Sequence, residues 1–335
     1  MSNTGTLFFD LALIAYLLSG VGYLVAVAVR SKWLSRAAMG VQVVGLLCGA
    51  AYFVQGWVDT GYPPLRNLHE SLVLTANLLV VWNLVQSLVK RVAFLGPLSG
   101  FAGGLFYAWA GSFGTIEKHT VPALQSSFWL TSHVFLCMLA YVAVLIATVA
   151  ALFLLMRRGF KSRMAGTFTF SVLVAGTLSV IAVKLLQMSG TVVFASITET
   201  GLYSVAGAFV GGSLLMPLFY YAFSRWGLYA SVSRDNALEH FVHTTALIGL
   251  ALITLGIITG SIWGDIAWGR YWGWDPKEVW ALLTWFALLI YIHLRSCGKR
   301  GSDLAPWAIV IGLVTVVFNY FGVNFVLTGL HTYAG

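Results

Sequence analysis

Ten runs of about twenty apolar residues, separated by short polar loops, leave this chain few ways to fold. They cover residues 6–29, 37–56, 70–89, 92–111, 127–156, 166–188, 201–224, 240–263, 277–295 and 306–327. About 20 apolar residues in a helix cross the hydrocarbon of a bilayer. Only helices and closed barrels satisfy their backbone hydrogen bonds there, and a barrel is written in short alternating segments instead. The pattern therefore predicts an all-α, polytopic transmembrane helical bundle of about ten spans. Charge agrees, because only 9% of the 335 residues are charged against about 25% in a soluble domain. The first run carries Asp10, has no basic flank before it and is followed by no small-x-small site. It is expected to stay as a span and not to be a cleaved leader.

The formal net charge is +8, but its placement argues against a nucleic-acid partner. Fourteen of the 19 Lys and Arg residues fall in alternate loops, among them Arg30, Lys32, Arg36, Lys90, Arg91, Arg157, Arg158, Arg295, Lys299 and Arg300. Arg66, Lys118, Arg270 and Lys277 fall on the other side, and Lys184 lies inside a span. The positive-inside rule makes the first side cytoplasmic, which puts the N- and C-termini outside. The three cysteines, Cys48, Cys137 and Cys297, form no CxxC, so neither a disulfide framework nor a thiol-redox pair is expected.

Loops this short leave no room for a separate soluble domain, and residues 1–335 read as one integral membrane domain without internal repeats. Runs 166–188 and 201–224 are rich in Gly, Ser and Thr. Because they form a hairpin, removing both would leave the topology of the remaining eight spans unchanged.

The informative polar segment is "WGDIAWGRYWGWDPKEVW", residues 263–280, which holds five tryptophans and lies on the outer side. Asp275, Pro276 and Glu278 have the order of an N-cap, N1 and N3 capping box, so Asp275 can be explained as a cap. The tryptophans Trp263, Trp268, Trp272 and Trp274 admit two readings. One is an interfacial aromatic belt. The other is a platform for a planar aromatic ligand, which the interspersed Gly264, Gly269 and Gly273 would let approach the backbone.

The seven histidines sort by topology. His133 lies one turn inside the outer end of the fifth run, with Trp129 at i−4, and His331 lies just past the outer end of the tenth. Two imidazoles on opposite faces of an iron make a bis-histidine haem site, with Arg270 or Lys277 available to the propionates. His293 follows Asp275 by 18 residues, about 27 Å of helix, and belongs near the cytoplasmic face. There it is either an interfacial residue beside Arg295 or a ligand of a second, inner site. His240 and His243 start the eighth run on that same side. His119 reads as a solvated loop residue, and His69 is open.

The stretch "WGRYWGWDPKEVWALLTWFALLIYIHLRS" resembles the tryptophan-rich (WWD) signature of the CcsA, or ResC, family of cytochrome c biogenesis proteins. Supporting matches are "PLRNLHESL", "SSFWLTSHVFLCMLAYV", "LITLGIITGSIW", "FGVNF" and "GLHTYAG", which carry the resemblance from about residue 63 to the C-terminus. The resemblance implies a holocytochrome c synthase (haem lyase) subunit in a bacterial inner membrane. It would carry haem b to the outer face and present it for thioether attachment to the CXXCH motif of an apocytochrome c. It further implies His133 and His331 as outer axial ligands and residues Trp263 to Asp275 as the haem platform. His293 would be one ligand of an inner haem. The other inner ligand would come from a CcsB (ResB)-like partner, with His243 as a minor alternative. A thiol-reducing system is expected to keep the apocytochrome cysteines reduced. The resemblance also marks residues 160–230 as an inserted hairpin on an eight-span core. Two other functions stay open: a haem-binding regulator or exporter of the same superfamily, and a proton-coupled solute transporter.

Overall fold

A computed structural model describes residues 3–89, 95–111, 113, 128–157, 160–188, 197–225, 235–327 and 330. The described elements are helical throughout, with no strand among them. Ten long helices follow the ten apolar runs: α1 (Asn3–Ala28), α2 (Lys32–Thr60), α3 (Leu68–Val89), α4 (Leu95–Gly111), α5 (Phe128–Arg157), α6 (Phe160–Met188), α7 (Ile197–Arg225), α8 (Asp235–Trp268), α9 (Pro276–Ser296) and α10 (Gly298–Val317). A π-helical turn, Phe318–Gly322, and the short α11, Val323–Val326, complete the described order. Seven of these helices (α1, α2, α3, α5, α8, α9 and α10) are long and apolar enough to cross a membrane. The chain is a multi-pass membrane protein.

The structure corrects one boundary that bears on function. The apolar run predicts that the eighth helix ends at residue 263, yet α8 continues to Trp268. Trp263 and Trp268 therefore stand on helix and not on a loop. The stop comes from Gly269, whose φ of +70° is a left-handed conformation open to glycine. Its N–H donates to the Asp265 carbonyl at 2.8 Å, a C-terminal cap. Hydropathy misses this last turn because Asp265 and Gly264 interrupt the run.

The chain divides into two compact units. The first comprises residues 1–142 and 259–271, the second residues 143–258 and 272–335. In the first, α1, α2, α3 and α4 meet through small residues. A Cβ on Gly100 would lie 2.5 Å from the Gly20 backbone, and one on Gly45 would lie 2.8 Å from the Tyr16 ring. Small residues at such crossings let membrane helices pack closely. Buried polar side chains join the same helices: Tyr16 and Tyr107 both donate to Asn77 Oδ1, at 2.7 and 3.1 Å. Gln42 donates to Ser99 Oγ and accepts from Asn83. Within hydrocarbon these groups have no water to turn to, so they bond one another.

In the second unit α6 and α7 pair along their length, with Gly211 against Ala175 and Gly212 against Val172. Phe170 of α6 packs on Phe153 of α5 and on Phe219 of α7. Helices α8, α9 and α10 are tied by Trp285 Nε1 donating to Thr254 (2.9 Å) and by Thr284 donating to Thr315 (2.9 Å).

Candidate functional site

The first unit assembles a compact group around His133. The imidazole lies nearly parallel to the Trp263 indole, with centroids 6.1 Å apart and 13° between the planes. Trp263 is 1% exposed and meets Trp268 edge to face at 4.6 Å. Between them on α8 stands Gly264, where a Cβ would lie 3.2 Å from the Arg270 carbonyl and 3.7 Å from the Trp268 ring. Gly260, one turn before Trp263, runs directly beneath the imidazole. A Cβ there would fall 2.5 Å from His133 Nδ1 and 2.6 Å from Cε1. On its own helix, His133 has Cys137 one turn on, with Sγ 3.6 Å from Nδ1. The ring is thus oriented by α8 on one side and by its own helix on the other, with Nδ1 turned toward protein.

The predicted groups Trp263, Trp268 and Arg270 therefore gather with His133 in one unit. Trp272, Trp274 and Asp275 belong to the other. There Trp272 and Trp274 meet edge to face at 5.8 Å. Trp274 adopts φ +58°, rare for a bulky side chain, and is 71% exposed. Sparsely populated backbone conformations of this kind cluster at functional sites. What holds the strain is the start of α9. Glu278 Oε2 accepts the Gly273 and Asp275 N–H groups at 2.8 and 3.0 Å. Asp275 Oδ1 accepts the Lys277 N–H at 3.0 Å, so the capping box expected from the sequence is formed.

Asp275 does one thing that capping does not explain. Its Oδ2 accepts the N–H of Leu330, 55 positions away, at 2.6 Å. Leu330 is the residue before His331, and His331 itself lies outside the described residues, as does His119.

The remaining histidines separate clearly. His293 is exposed on the last turn of α9, away from Asp275 by most of that helix, with Cys297 Sγ 3.5 Å from its Nε2. His243 packs against the Tyr291 ring at 6.1 Å, and on the same stretch Arg295 donates to the Glu239 carbonyl at 3.3 Å. His240 is exposed beside Thr244. His69, left open by the sequence, is a core residue: 2% exposed, paired with Tyr52 OH at 2.6 Å and with the Ala110 carbonyl at 2.8 Å, and stacked on Phe9. Next to it the Glu70 N–H donates to Asn67 Oδ1 at the start of α3, and the Glu70 carboxylate accepts from the Arg66 N–H and from the Asn67 side-chain amide. In the preceding loop the Arg66 guanidinium lies 3.2 Å over the Tyr62 ring, and burial draws its pKa down against the opposing pull of Tyr62 and Glu70.

Sequence reasoning missed Gly260 and the Leu330 amide. Gly260 sits inside "LITLGIITGSIW" without any local mark, since only the partner helix shows why it lacks a side chain. A backbone amide carries no sequence signal at all.

A family model described as cytochrome C assembly protein matches residues 65–331. The chain is similar to the cytochrome c biogenesis protein CcsA of Crocosphaera subtropica, at 31% identity over 307 residues, covering 90% of this chain and 88% of that protein. It is 32% identical over 303 residues to the CcsA of Synechococcus elongatus, covering 86% and 84%. Against the CcsA of Nicotiana tomentosiformis it is 30% identical over 298 residues, covering 87% and 83%.

Proposed function

The chain belongs to the CcsA family of cytochrome c assembly proteins and has a role in cytochrome c maturation; from that premise we propose that it carries haem b as substrate to the outer membrane face and presents it to apocytochrome c. The observation that carries this reading is the fixed His133 imidazole, set parallel to a buried tryptophan and backed by a glycine. Nδ1 faces Cys137 and Gly260, and this reading assigns Nε2 to the iron. His331 supplies the second axial imidazole, and Trp268, Trp272, Trp274 and Arg270 supply the apolar surface and the propionate charge. His293 serves an inner haem on the cytoplasmic side, completed by a CcsB-like partner.

The chemistry asked of the protein is mostly positional. Each CXXCH thiol adds across a haem vinyl group: a C–S bond forms and the thiol proton ends on the vinyl carbon, with no net oxidation. The His133 imidazole and a flat apolar wall, together with His331, would hold the macrocycle with its vinyl edge open, and such orientation supplies several kcal/mol of a barrier. A thiol-reducing system keeps the incoming cysteines as thiols. In this reading the face lies outside a bacterial inner membrane with both termini on the same outer side, an orientation that the distribution of basic residues supports.

The test is the absorption spectrum and haem content of the protein purified with its partner, and the holocytochrome c yield of the expressing cells. Wild type is compared with His133→Ala, His331→Ala and His293→Ala. A six-coordinate haem that changes in the first two variants, with loss of holocytochrome c, supports the reading. Haem bound normally by a protein that yields no holocytochrome c in those cells would point to a regulator or exporter. A protein that takes up no haem even when haem is supplied would remove the proposal.

A further inference from the structure

We propose that Asp275 is a positioning residue that fastens the C-terminal tail, and through it His331, to the start of α9. This rests on the reading of His331 as an iron ligand. The two carboxylate oxygens have different partners: Oδ1 accepts the Lys277 N–H of its own helix, and Oδ2 accepts the Leu330 N–H of the tail. The Asp275 side chain is 6% exposed, so the carboxylate is largely withdrawn from water. Bonds from amides to a charged acceptor are shorter and stronger than neutral ones, and the N-terminus of α9 favours that negative charge.

The tie continues a series of contacts along α9 with the chain that leads toward residue 331, of which three mark its course. Thr284 donates to Thr315, the Trp280 ring lies 4.1 Å from that of Phe318, and Asp275 reaches Leu330. Between the second and third, the chain passes through the π turn Phe318–Gly322, which changes the helical register, and Leu327 then leaves the helix in an extended conformation (φ −109°, ψ 144°). Asp275 Oδ2 then holds the backbone of Leu330, three residues beyond Leu327. A plain helix cap needs one oxygen, and Asn or Ser would serve. The second oxygen is what makes a carboxylate necessary here, because the amide nitrogen of Asn would face the Leu330 N–H as a second donor.

The experiment is hydrogen exchange on the full-length protein purified with its partner, read at the C-terminal peptide and at the first turns of α9, with haem spectra of the same samples. In Asp275→Asn the tail should exchange about tenfold faster, the scale of losing one hydrogen bond to a charged group. The α9 amides should keep wild-type protection, since Asn caps as well as Asp. The haem spectrum should move toward that of His331→Ala, and adding Asp275→Asn to His331→Ala should change it no further. Leu330→Pro removes the donor without touching α9 and should loosen the tail to the same degree. Unchanged tail exchange in both variants overturns the proposal. So does tail and α9 loosening together by one factor, which is a cap alone, or a loosened tail with an unchanged haem spectrum. Failure of the ligand reading looks different: His331→Ala itself leaves the spectrum unmoved.

Discussion

His133 and Trp263 face each other nearly in parallel, 6.1 Å between centroids, and the helix that carries Trp263 passes the imidazole at Gly260 with no room for a methyl group. A hydrogen in place of a side chain at residue 260 thus sets where the ring stands, and the indole sets its tilt.

Gly260→Ala is expected to cut holocytochrome c yield by at least about tenfold, because misplacing a reacting group by about 1 Å can cost ~100-fold. Alanine is the better helix former, so the amount of protein in the membrane should stay within about twofold of wild type. The check is a blot of membranes beside the haem-stained cytochrome c yield. A normal yield would mean that the imidazole position is not critical.

His69→Ala should behave in the opposite way. The change strands the Tyr52 hydroxyl and the Ala110 carbonyl in the interior, and an unsatisfied buried polar group costs about 1–3 kcal/mol. The thermal midpoint in detergent should fall, while the haem spectrum of the protein that remains folded stays that of wild type. For His133→Ala the spectrum should change and the midpoint should not. Equal spectral changes in the two variants would contradict this sorting of the histidines.

Cys297 tests the sidedness. It is an exposed free thiol at the end of α9, whereas Cys137 is buried. A membrane-impermeant maleimide should label Cys297 in inverted vesicles and not in intact spheroplasts, and Cys297→Ser should abolish the signal. Because Cys297 Sγ lies 3.5 Å from His293 Nε2, labelling should also perturb any haem held by His293. Labelling from the outer side would reverse the topology.

The helices were legible because hydrocarbon permits so few structures: a long apolar run crosses it as a helix, and among the described residues each of the ten runs is carried by helix. The capping box at Asp275 was legible for the same local reason, since N-cap, N1 and N3 lie within four residues. The family was legible in the continuous stretch from Trp268 to Ser296. The end of α8 was not, because its final turn depends on a left-handed glycine at 269 and not on hydropathy.

What the sequence determined by itself is therefore whatever is decided within one turn or one span: that the chain is helical and crosses a membrane repeatedly, where α9 begins, and which histidines sit near span ends. What only the tertiary structure decided are the meetings between residues distant in the chain. It placed Gly260 under His133, turned His69 into a buried hydrogen-bonding residue, and gave the second oxygen of Asp275 to Leu330. Each depends on which helix faces lie against each other, and side-chain packing and backbone amides at such crossings leave no periodic mark in the sequence.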